Sequence, residues 1–436
     1  MNNKEKEHVV QSEYENARVP LDKRRGFWGL FAVWMGYVFV VTTMQVGGII
    51  ALGSDFRQLM LSTLISCSIL FVLAAFMAYI SQREGLTFTL MCRYAFGRLG
   101  LWIPVFLVII TCVSWFSIDA WLIGATVHTL MPSIPIVPIC ILAVAAITIT
   151  ALYGIRAMTW LSNIAVPLIF IFGIISMVKS VNTAGIDNLI NHVPDVGKAI
   201  PMTAAIALGV GSFSHGAIAN TAEVLRFSKS PKQAIGVMFI AMMFGNAFML
   251  LFGGLGMLST GEYDMGLILK AQGLLGPAFA VVILNLWSTA QGLVYASINA
   301  IGAAIRVQRK WIALGIGVIA LIMALNHFID HFGAWIDVNA KFIPPFAGII
   351  IGDYFVLYGR KFPDPEKYEE VMPKVNYSGL ITWIVGSLLA GFSLLEFGIP
   401  TFNYILVCVV LKVILSKYVF KDDKLILDLI KQESAA

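Results

Sequence analysis

The stretch Gly209-Val-Gly211-Ser212-Phe213-Ser214-His215-Gly216 lies within a mostly apolar segment that runs from Pro201 to Leu250. Its surroundings are too apolar for a water-exposed loop, and its glycines and polar side chains are unusual in a membrane helix. Backbone that leaves the helix within a membrane is tolerated only inside protein or beside a water-filled cavity. Secondary transporters build their binding sites from such broken helices. A kinked structural helix is the alternative, because glycine is common in membrane helices.

The composition indicates an integral membrane protein. Of 436 residues, 58% are hydrophobic and only 13% are charged, whereas charged residues make up about 25% of soluble domains. The net charge of +5 does not indicate a nucleic-acid partner, because the basic residues gather at helix ends. The five cysteines mostly lie in apolar runs, which predicts reduced thiols. The first 25 residues are polar, so no cleaved signal peptide is expected.

Hydropathy predicts an all-α integral membrane protein with twelve transmembrane helices. We expect a cytoplasmic N-terminal tail over 1–26, a transporter domain over 27–416 and a cytoplasmic C-terminal tail over 417–436. Basic loops alternate along the chain, which predicts a multi-pass protein of the cell membrane with both termini inside. A short interfacial helix is expected within 82–99. The predicted spans are 27–53, 58–81, 100–125, 135–153, 159–178, 199–224, 234–258, 266–296, 311–329, 338–358, 376–396 and 399–416.

Glycine placement suggests an internal duplication. The first span carries Gly47-Gly48 and the sixth carries the 209–216 cluster, so both are predicted to be broken first helices of five-helix halves. The first repeat would cover 27–198, the second 199–375, and two extra helices 376–416. Inverted halves of this kind place the binding site between them.

The third span offers candidates for a substrate site. Cys112, Trp115 and Asp119 share one helical face. Trp115 is either a packing residue or a stacking surface for a flat ligand. Charged residues in spans usually face a cavity or a partner, although Asp119 could also be a hydrated carboxylate at the outer mouth.

The other substrate candidates come from the first, sixth and eighth spans. Phe213 would be a second stacking surface, and His215 could bond a substrate or take a proton, unless it is bonded to backbone. Ser214, Gln45 and Gln291 are further candidates for polar contacts. Glu223 and Arg226, three residues apart, are expected to pair with each other as a structural or inner-gate element.

The eighth span indicates a cation site. Asn285, Ser288 and Thr289 recur at i, i+3 and i+4, so they share a face. Their neutral oxygens suit Na⁺, with carbonyl groups of a broken first helix completing the shell. Hydrogen bonding between helices by small polar residues is the alternative.

The sequence shows no motif for ATP hydrolysis or for catalysis. The chain contains no G-x-x-x-x-G-K-[ST] loop, and no metal-ligand cluster or nucleophile with a positioned base was found. We therefore expect no enzyme activity and no cofactor, and transport driven by a gradient of Na⁺ or of protons. No obligate protein partner is predicted.

Short motifs in the same order along residues 27–360 resemble the nucleobase-cation symporter-1 family of purine/cytosine permeases, most closely the bacterial cytosine permease branch. Each motif is weak alone, but their shared order and spacing are distinctive. They are Gly36, Gly47-Gly48, Gly85-Leu-Thr87, Arg93, Phe96-Gly97, Trp115-Phe116, Val210-Gly-Ser-Phe213, Thr221-Ala-Glu223, Arg226-Phe227, Ala271-Gln-Gly-Leu274, Asn285-Leu-Trp-Ser-Thr289, Tyr295-Ala-Ser297, Ile343-Pro-Pro345 and Gly352-Asp-Tyr354.

The resemblance implies a LeuT-like fold, two inverted five-helix repeats plus two helices, which works by alternating access. It implies import of a flat heterocycle between Trp115 and Phe213. It also implies that Asn285, Ser288 and Thr289 hold Na⁺ together with backbone oxygens near Gly36 and Phe39.

Three positions depart from the cytosine permease pattern. Cys112 stands in place of a glutamine, Ala290 in place of an asparagine, and Asp119 in place of a small residue. A site built for one ring edge rejects analogues that lack the matching groups. A nucleobase-like ring is therefore expected, with a hydroxymethylpyrimidine, a purine, a hydantoin, or an amino acid or amine as alternatives to cytosine.

Overall fold

The computed structural model describes residues 14–194, 197–305, 307–395, 397, 399–421 and 423–435. Within these ranges the chain is overwhelmingly helical. The first half contains α1 (Phe27–Val38), α2 (Val41–Leu52), α3 (Phe56–Glu84), α4 (Phe88–Gly100), α5 (Trp102–Leu130), α6 (Ile136–Ala151), α7 (Gly154–Ala184) and the short α8 (Ile186–Ile190).

The second half begins with another interrupted helix. Its elements are α9 (Met202–Gly211), α10 (Gly216–Leu225), α11 (Pro231–Thr260), α12 (Met265–Ala271), α13 (Leu275–Ala304), α14 (Arg309–Leu325), α15 (Phe332–Phe342), α16 (Pro344–Ile351, continued by a π-helical turn Gly352–Leu357), α17 (Pro365–Val371), α18 (Tyr377–Gly391), α19 (Pro400–Phe420) and α20 (Lys424–Ala435).

Many helices meet the length and hydropathy of a membrane span. Among the described residues seven helices do so, or nine if each bent pair counts as one span, and α6 and α18 are shorter apolar helices. The bent pairs are α1 with α2, at 49°, and α9 with α10, at 46°. The all-helical membrane architecture is confirmed. The count of twelve spans, the repeat boundaries and the sidedness stay predictions.

Two predicted elements need correction. The span expected from residue 266 begins later, because Met265–Ala271 forms a separate short helix that stops at Gly273, whose φ is +68°. The helix expected within 82–99 is α4, which begins only at Phe88 and ends at Gly100. It is largely buried, with Cys92 and Phe96 both 0% exposed, and its interfacial position stays a prediction. Gly85, with φ +68°, ends α3 and separates it from α4. Left-handed backbone of this kind strongly favours glycine, which explains both stops.

The sequence analysis placed the break in the first span at Gly47-Gly48, but the structure does not have it there. It lies at Phe39 and Val40, whose dihedral angles are non-helical. Gly47 has a different purpose: a Cβ added there would lie 1.9 Å from the carbonyl oxygen of Leu250 in α11. The glycine therefore allows α2 and α11 to pack closely, as small residues do between membrane helices.

We expect Gly47→Ala to destabilise the protein strongly, because the added methyl group collides with rigid backbone. Overpacking in a core costs about 1–3 kcal/mol, occasionally more. The melting temperature of the purified protein measures the effect. Gly29→Ala in α1 is the matched control, since nothing lies within 4 Å of a Cβ there. Equal melting temperatures for the two variants would contradict the close packing of α2 on α11.

Of the predicted N-terminal tail, residues 14–25 lie within the described chain and are folded against helix ends. They bond near the ends of α3 and α10, to the last turn of α13 and to the first residue of α14. The contacts are Arg18 with Glu84 at 2.5 Å, Val19 N–H to the Gly85 carbonyl at 2.9 Å, Arg25 N–H to the Phe227 carbonyl at 2.6 Å, Asn16 to the Gly302 carbonyl at 2.9 Å, and Glu15 with Arg309. This segment covers the end of the bundle that is predicted to face the cytoplasm.

The last span contains a buried lysine side chain that the sequence analysis did not single out. Lys412 in α19 is 0% exposed and lies 3.2 Å from Asp353 and 3.1 Å from Asp423. Asp353 belongs to the π-helical turn of α16, so the ion pairs join the last span to α16 and to the segment before α20. Buried charges require such partners. Within the predicted C-terminal tail, residues 417–420 continue α19 and residues 424–435 form α20.

Candidate functional site

The stretch from Gly209 to Gly216 lies at the break between α9 and α10. α9 ends at Gly211, Ser212 and Phe213 form a turn, and helical backbone resumes at Ser214, just before α10. A Cβ at Gly211 would lie 2.7 Å from the carbonyl oxygen of Ile336, so glycine permits the contact with α15. The predicted break at the 209–216 cluster is thus confirmed in the geometry of the backbone.

A central cavity lies beside both helix breaks. Its lining comes from α1, α2, α5, α13 and the turn between α9 and α10. The lining residues are Tyr37, Val40, Thr42, Trp115, Asp119, Gly211, Ser212, Phe213, His215, Gly216, Thr289 and Leu293. Five of the residues predicted from sequence, Trp115, Asp119, Phe213, His215 and Thr289, therefore share one cavity.

The aromatic walls of this cavity are enclosed in the present conformation. Trp115 is 7% exposed and Phe213 6%. Trp115 packs edge-on against Phe332 with ring centroids 5.6 Å apart, and Phe213 packs edge-on against Tyr37 at 5.5 Å. Both rings thus have one side supported by protein, as a stacking surface requires. A ligand would have to enter by movement of the surrounding helices.

The polar atoms of the cavity are unevenly satisfied. Asp119 is 1% exposed, and neither of its carboxylate oxygens has a hydrogen-bond partner among the described residues. His215 Nε2 lies 3.0 Å from the Cys112 sulfur, while its Nδ1 has no partner in the described part of the chain. Cys112 therefore contacts His215 and does not line the cavity itself. Buried polar groups are nearly always paired, so we take this cavity as the candidate ligand site.

Four other predicted substrate contacts lie outside the cavity lining. The Gln45 side chain donates to Asp264 at 3.2 Å, Ser214 to the Asn339 carbonyl at 3.1 Å, and Gln291 to the Thr150 carbonyl at 2.9 Å. Ala290 is fully buried in α13. The three polar side chains are bonded to other parts of the protein, and Ala290 lies outside the cavity lining. The site proposed below therefore omits all four residues.

The lining residues that the sequence analysis did not predict include Tyr37 and Thr42. Tyr37 follows Gly36 directly, and its hydroxyl accepts a hydrogen bond from Asn220. Thr42 lies just after the break in the first span. The consecutive threonines 42 and 43 in an otherwise apolar span could have indicated these lining residues. The Gly47-Gly48 pair instead led to a predicted break that lies too far along the chain.

The predicted cation-site residues converge at the break between α1 and α2. Ser288 Oγ lies 3.0 Å from the Gly36 carbonyl oxygen and 2.9 Å from the Asn285 carbonyl oxygen. Thr289 Oγ1 lies 3.5 Å from the Gly36 oxygen. The Phe39 carbonyl accepts from the Asn285 amide. The Ser288 and Thr289 hydroxyls thus both lie within 3.5 Å of the Gly36 carbonyl oxygen, and neutral oxygen ligands suit an alkali cation.

Asn285 also holds the break itself together. Its side-chain oxygen accepts from the Val41 N–H at 3.1 Å, and its amide donates to the Phe39 carbonyl. One side chain thus satisfies a backbone group on each side of the interruption, which is what broken helices in membranes require. Its backbone carbonyl, and not its side chain, faces Ser288.

We expect Asn285→Ala to lower the melting temperature, because it leaves one buried donor and one buried acceptor unpaired. Each such group costs about 1–3 kcal/mol. Asn326→Ala is the matched control, since Asn326 is exposed and bonds only within its own helix, to Ile322. An Asn285→Ala protein as stable as the control would show that other groups hold the break.

Glu223 and Arg226 were predicted to pair with each other at the end of α10 that is expected to face the cytoplasm. In the structure Arg226 Nε donates to the backbone carbonyl of Glu223 at 3.2 Å. The Glu223 carboxylate accepts from the Phe88 N–H at 3.1 Å and from the Asn299 amide at 2.8 Å. Glu223 therefore ties α10 to α4 and α13, which fits a structural or gating role and not substrate contact.

Comparison with known sequences gives consistent relatives. Residues 18–415 match the family described as "Permease for cytosine/purines, uracil, thiamine, allantoin". The cytosine permease of Escherichia coli strain K12 is 33% identical over 347 residues, which cover 79% of this chain and 81% of the permease. The hydantoin permease of Microbacterium maritypicum is 23% identical over 77% of this chain and 74% of its own length.

Comparison with solved structures supports the fold. Mhp1, a nucleobase-cation-symport-1 family transporter in a closed conformation with bromovinylhydantoin bound, superimposes with a TM-score of 0.81 over 96% of this chain and 100% of its own, at 18% identity. Its inward-facing conformation gives a TM-score of 0.77 over 93% of each chain. A sodium-coupled sialic acid symporter gives 0.63 at 14% identity. The LeuT-like fold expected from the sequence is thus found in the structure.

The family is one of permeases and not of enzymes, in agreement with the missing catalytic constellation. The match covers nearly the whole membrane domain, and the relatives are matched over most of their own length. The chain belongs to the family of permeases for cytosine/purines, uracil, thiamine and allantoin.

Proposed function

We propose that the protein is a secondary active symporter that imports a nucleobase or related heterocycle across the cytoplasmic membrane together with Na⁺. The observation that carries the proposal is the position of Thr289. Its side chain lines the cavity that holds Trp115 and Phe213, and its hydroxyl also lies 3.5 Å from the Gly36 carbonyl at the break between α1 and α2. One residue thus joins a site for a flat ring to a site for a cation.

This arrangement suits alternating access. Both sites lie where two helices are interrupted, so ligands bound there contact the parts of the bundle that bend most easily. An ion that draws Gly36, Ser288 and Thr289 together would orient the cavity wall, and the ring would then bind a prepared site. Binding of each ligand would favour binding of the other, because coupling between two sites is reciprocal.

Purified protein and proteoliposomes test the proposal together. A panel of bases, hydantoins, pyrimidine alcohols and amino acids should include a heterocycle that raises the melting temperature, and Na⁺ should enlarge the shift, because ligands that bind only the native state stabilise it. Uptake of that heterocycle into proteoliposomes should require an inward Na⁺ gradient. Accumulation that persists after the Na⁺ and proton gradients collapse would contradict the proposal.

A second candidate, transport of an amino acid or amine, is favoured by the unpaired carboxylate of Asp119. An ammonium group could pair with it. Stabilisation by amino acids or amines, with none by any heterocycle, would select this alternative. Uptake driven by a proton gradient without Na⁺ would instead keep the substrate class and change the coupling ion.

A further inference from the structure

The central cavity is lined by one carboxylate and by no lysine or arginine side chain. Among its lining residues, Asp119 is the acidic one, and the remaining polar groups are neutral hydroxyls together with Tyr37 and His215. The polar groups that line the same cavity as Asp119 include Tyr37 of α1, Thr42 of α2, His215 just before α10 and Thr289 of α13. Within the described chain none of them bonds to either oxygen of the carboxylate.

An isolated carboxylate in this position is costly. Removing an ionised group from water without hydrogen bonds disfavours the folded state, and proteins offset this with a paired charge or donors. The described protein groups supply neither to Asp119, which is 1% exposed. A ligand that brings its own donors into the cavity would supply them.

The position of Asp119 restricts the shape of that ligand. It lies one helical turn from Trp115 on α5, so a ring stacked on Trp115 would turn an edge toward the carboxylate. A carboxylate has two acceptor oxygens and binds best to two parallel N–H donors. Aliphatic amines offer the charge without the flat face that Trp115 and Phe213 require.

We propose that the substrate is a flat heterocycle with an amidine- or guanidine-type edge, in which two adjacent N–H donors bind both oxygens of Asp119. This inference rests on the proposed function, whose site it specifies. The Thr42 hydroxyl lines the cavity and is placed to donate to an acceptor atom elsewhere on the ring, whereas the Ser212 and Thr289 hydroxyls donate to the Gly209 and Gly36 carbonyls. Oxo-heterocycles whose edge presents carbonyl oxygens would set lone pairs against the carboxylate and bind weakly.

The first test compares two ligands of the same ring on the unaltered protein. When protonated at N1, 2,4-diaminopyrimidine presents two adjacent N–H donors, on N1 and on the 2-amino group, where uracil presents an N–H beside a carbonyl oxygen. Hydrogen bonds to a charged group contribute about 1.5–3 kcal/mol, so we expect diaminopyrimidine to bind about 10- to 100-fold more tightly than uracil by calorimetry in Na⁺. Uracil binding as tightly as, or more tightly than, diaminopyrimidine would overturn the inference while leaving heterocycle transport intact.

The second test removes the charge. Asp119→Asn keeps the size of the side chain but replaces one acceptor oxygen by an amide donor, so the preference for diaminopyrimidine should fall by at least about tenfold. Uracil binding should stay or rise, which also shows that the variant is folded. Glu262→Gln removes an exposed carboxylate outside the cavity and should leave both affinities unchanged.

Two further results separate the failure of this inference from failure of the proposed function. If Asp119→Asn abolishes the Na⁺ dependence and leaves the ligand preference unchanged, the carboxylate serves the cation, and the inference is wrong. If the unaltered protein binds neither these pyrimidines nor any other heterocycle of the panel, the proposed function itself fails.

Discussion

Replacing Trp115 by alanine is expected to weaken heterocycle binding by roughly 5- to 150-fold, because stacking of a base on an aromatic side chain contributes about 1–3 kcal/mol. The indole ring lines the cavity, and the edge of Phe332 supports it at a centroid distance of 5.6 Å. It is therefore held in place before a ligand arrives, so little ordering is required on binding. Calorimetry with the best ligand of the panel measures the loss.

Two variants make this result specific. Trp115→Phe keeps an aromatic surface and should retain most of the affinity. Trp311→Ala removes a tryptophan that is 59% exposed in α14 and should bind like the unaltered protein. An unchanged affinity in Trp115→Ala, in a protein with a normal melting temperature, would remove Trp115 from the site.

The helix break in the sixth span and the polar face of the eighth span could be predicted because each depends on residues that are close together in the sequence. Glycines 209, 211 and 216 announced a break that the structure contains, and the i, i+3, i+4 spacing of Asn285, Ser288 and Thr289 placed them on one face toward α1. These inferences needed only helical periodicity and the rule that broken membrane helices require protected backbone.

The remaining details depended on packing between distant parts of the chain. Gly47 could mark either a break or a close contact, and only the position of Leu250, about 200 residues away, shows that it is a contact. In the same way Gln45 and Gln291 are bonded to Asp264 and to the Thr150 carbonyl. A polar residue in a span predicts that a partner exists, but the sequence does not say whether that partner is a ligand or another helix.

Asp119 shows the opposite case. The sequence offered a hydrated carboxylate at the outer mouth as an alternative, whereas the structure buries the side chain in the cavity and gives it no described hydrogen-bond partner. Burial and pairing are properties of the folded bundle, so no local pattern could distinguish the two. The donor-edge substrate follows from the structure and not from the motif.

Removing one hydroxyl from the candidate cation site should weaken the response to Na⁺ by about tenfold or more, since a contact with a charged group contributes about 1.5–3 kcal/mol. Ser288→Ala is the sharper variant, because Ser288 lies against the Gly36 and Asn285 carbonyls at 3.0 and 2.9 Å and does not line the cavity. Its Na⁺ titration, followed by melting temperature at saturating heterocycle, should shift to higher concentration. Heterocycle affinity at saturating Na⁺ should stay near that of the unaltered protein.

Thr289 separates the two ligands further, because it faces both of them. Thr289→Ala should raise the Na⁺ requirement and also weaken the heterocycle, whereas Thr289→Ser keeps the hydroxyl and should preserve the Na⁺ response. If the Na⁺ curves of Ser288→Ala and Thr289→Ala coincide with that of the unaltered protein, the cation binds elsewhere or a proton drives transport. If only the Thr289 variant changes, the hydroxyl serves the ring, and the link between cation and substrate must run through another residue.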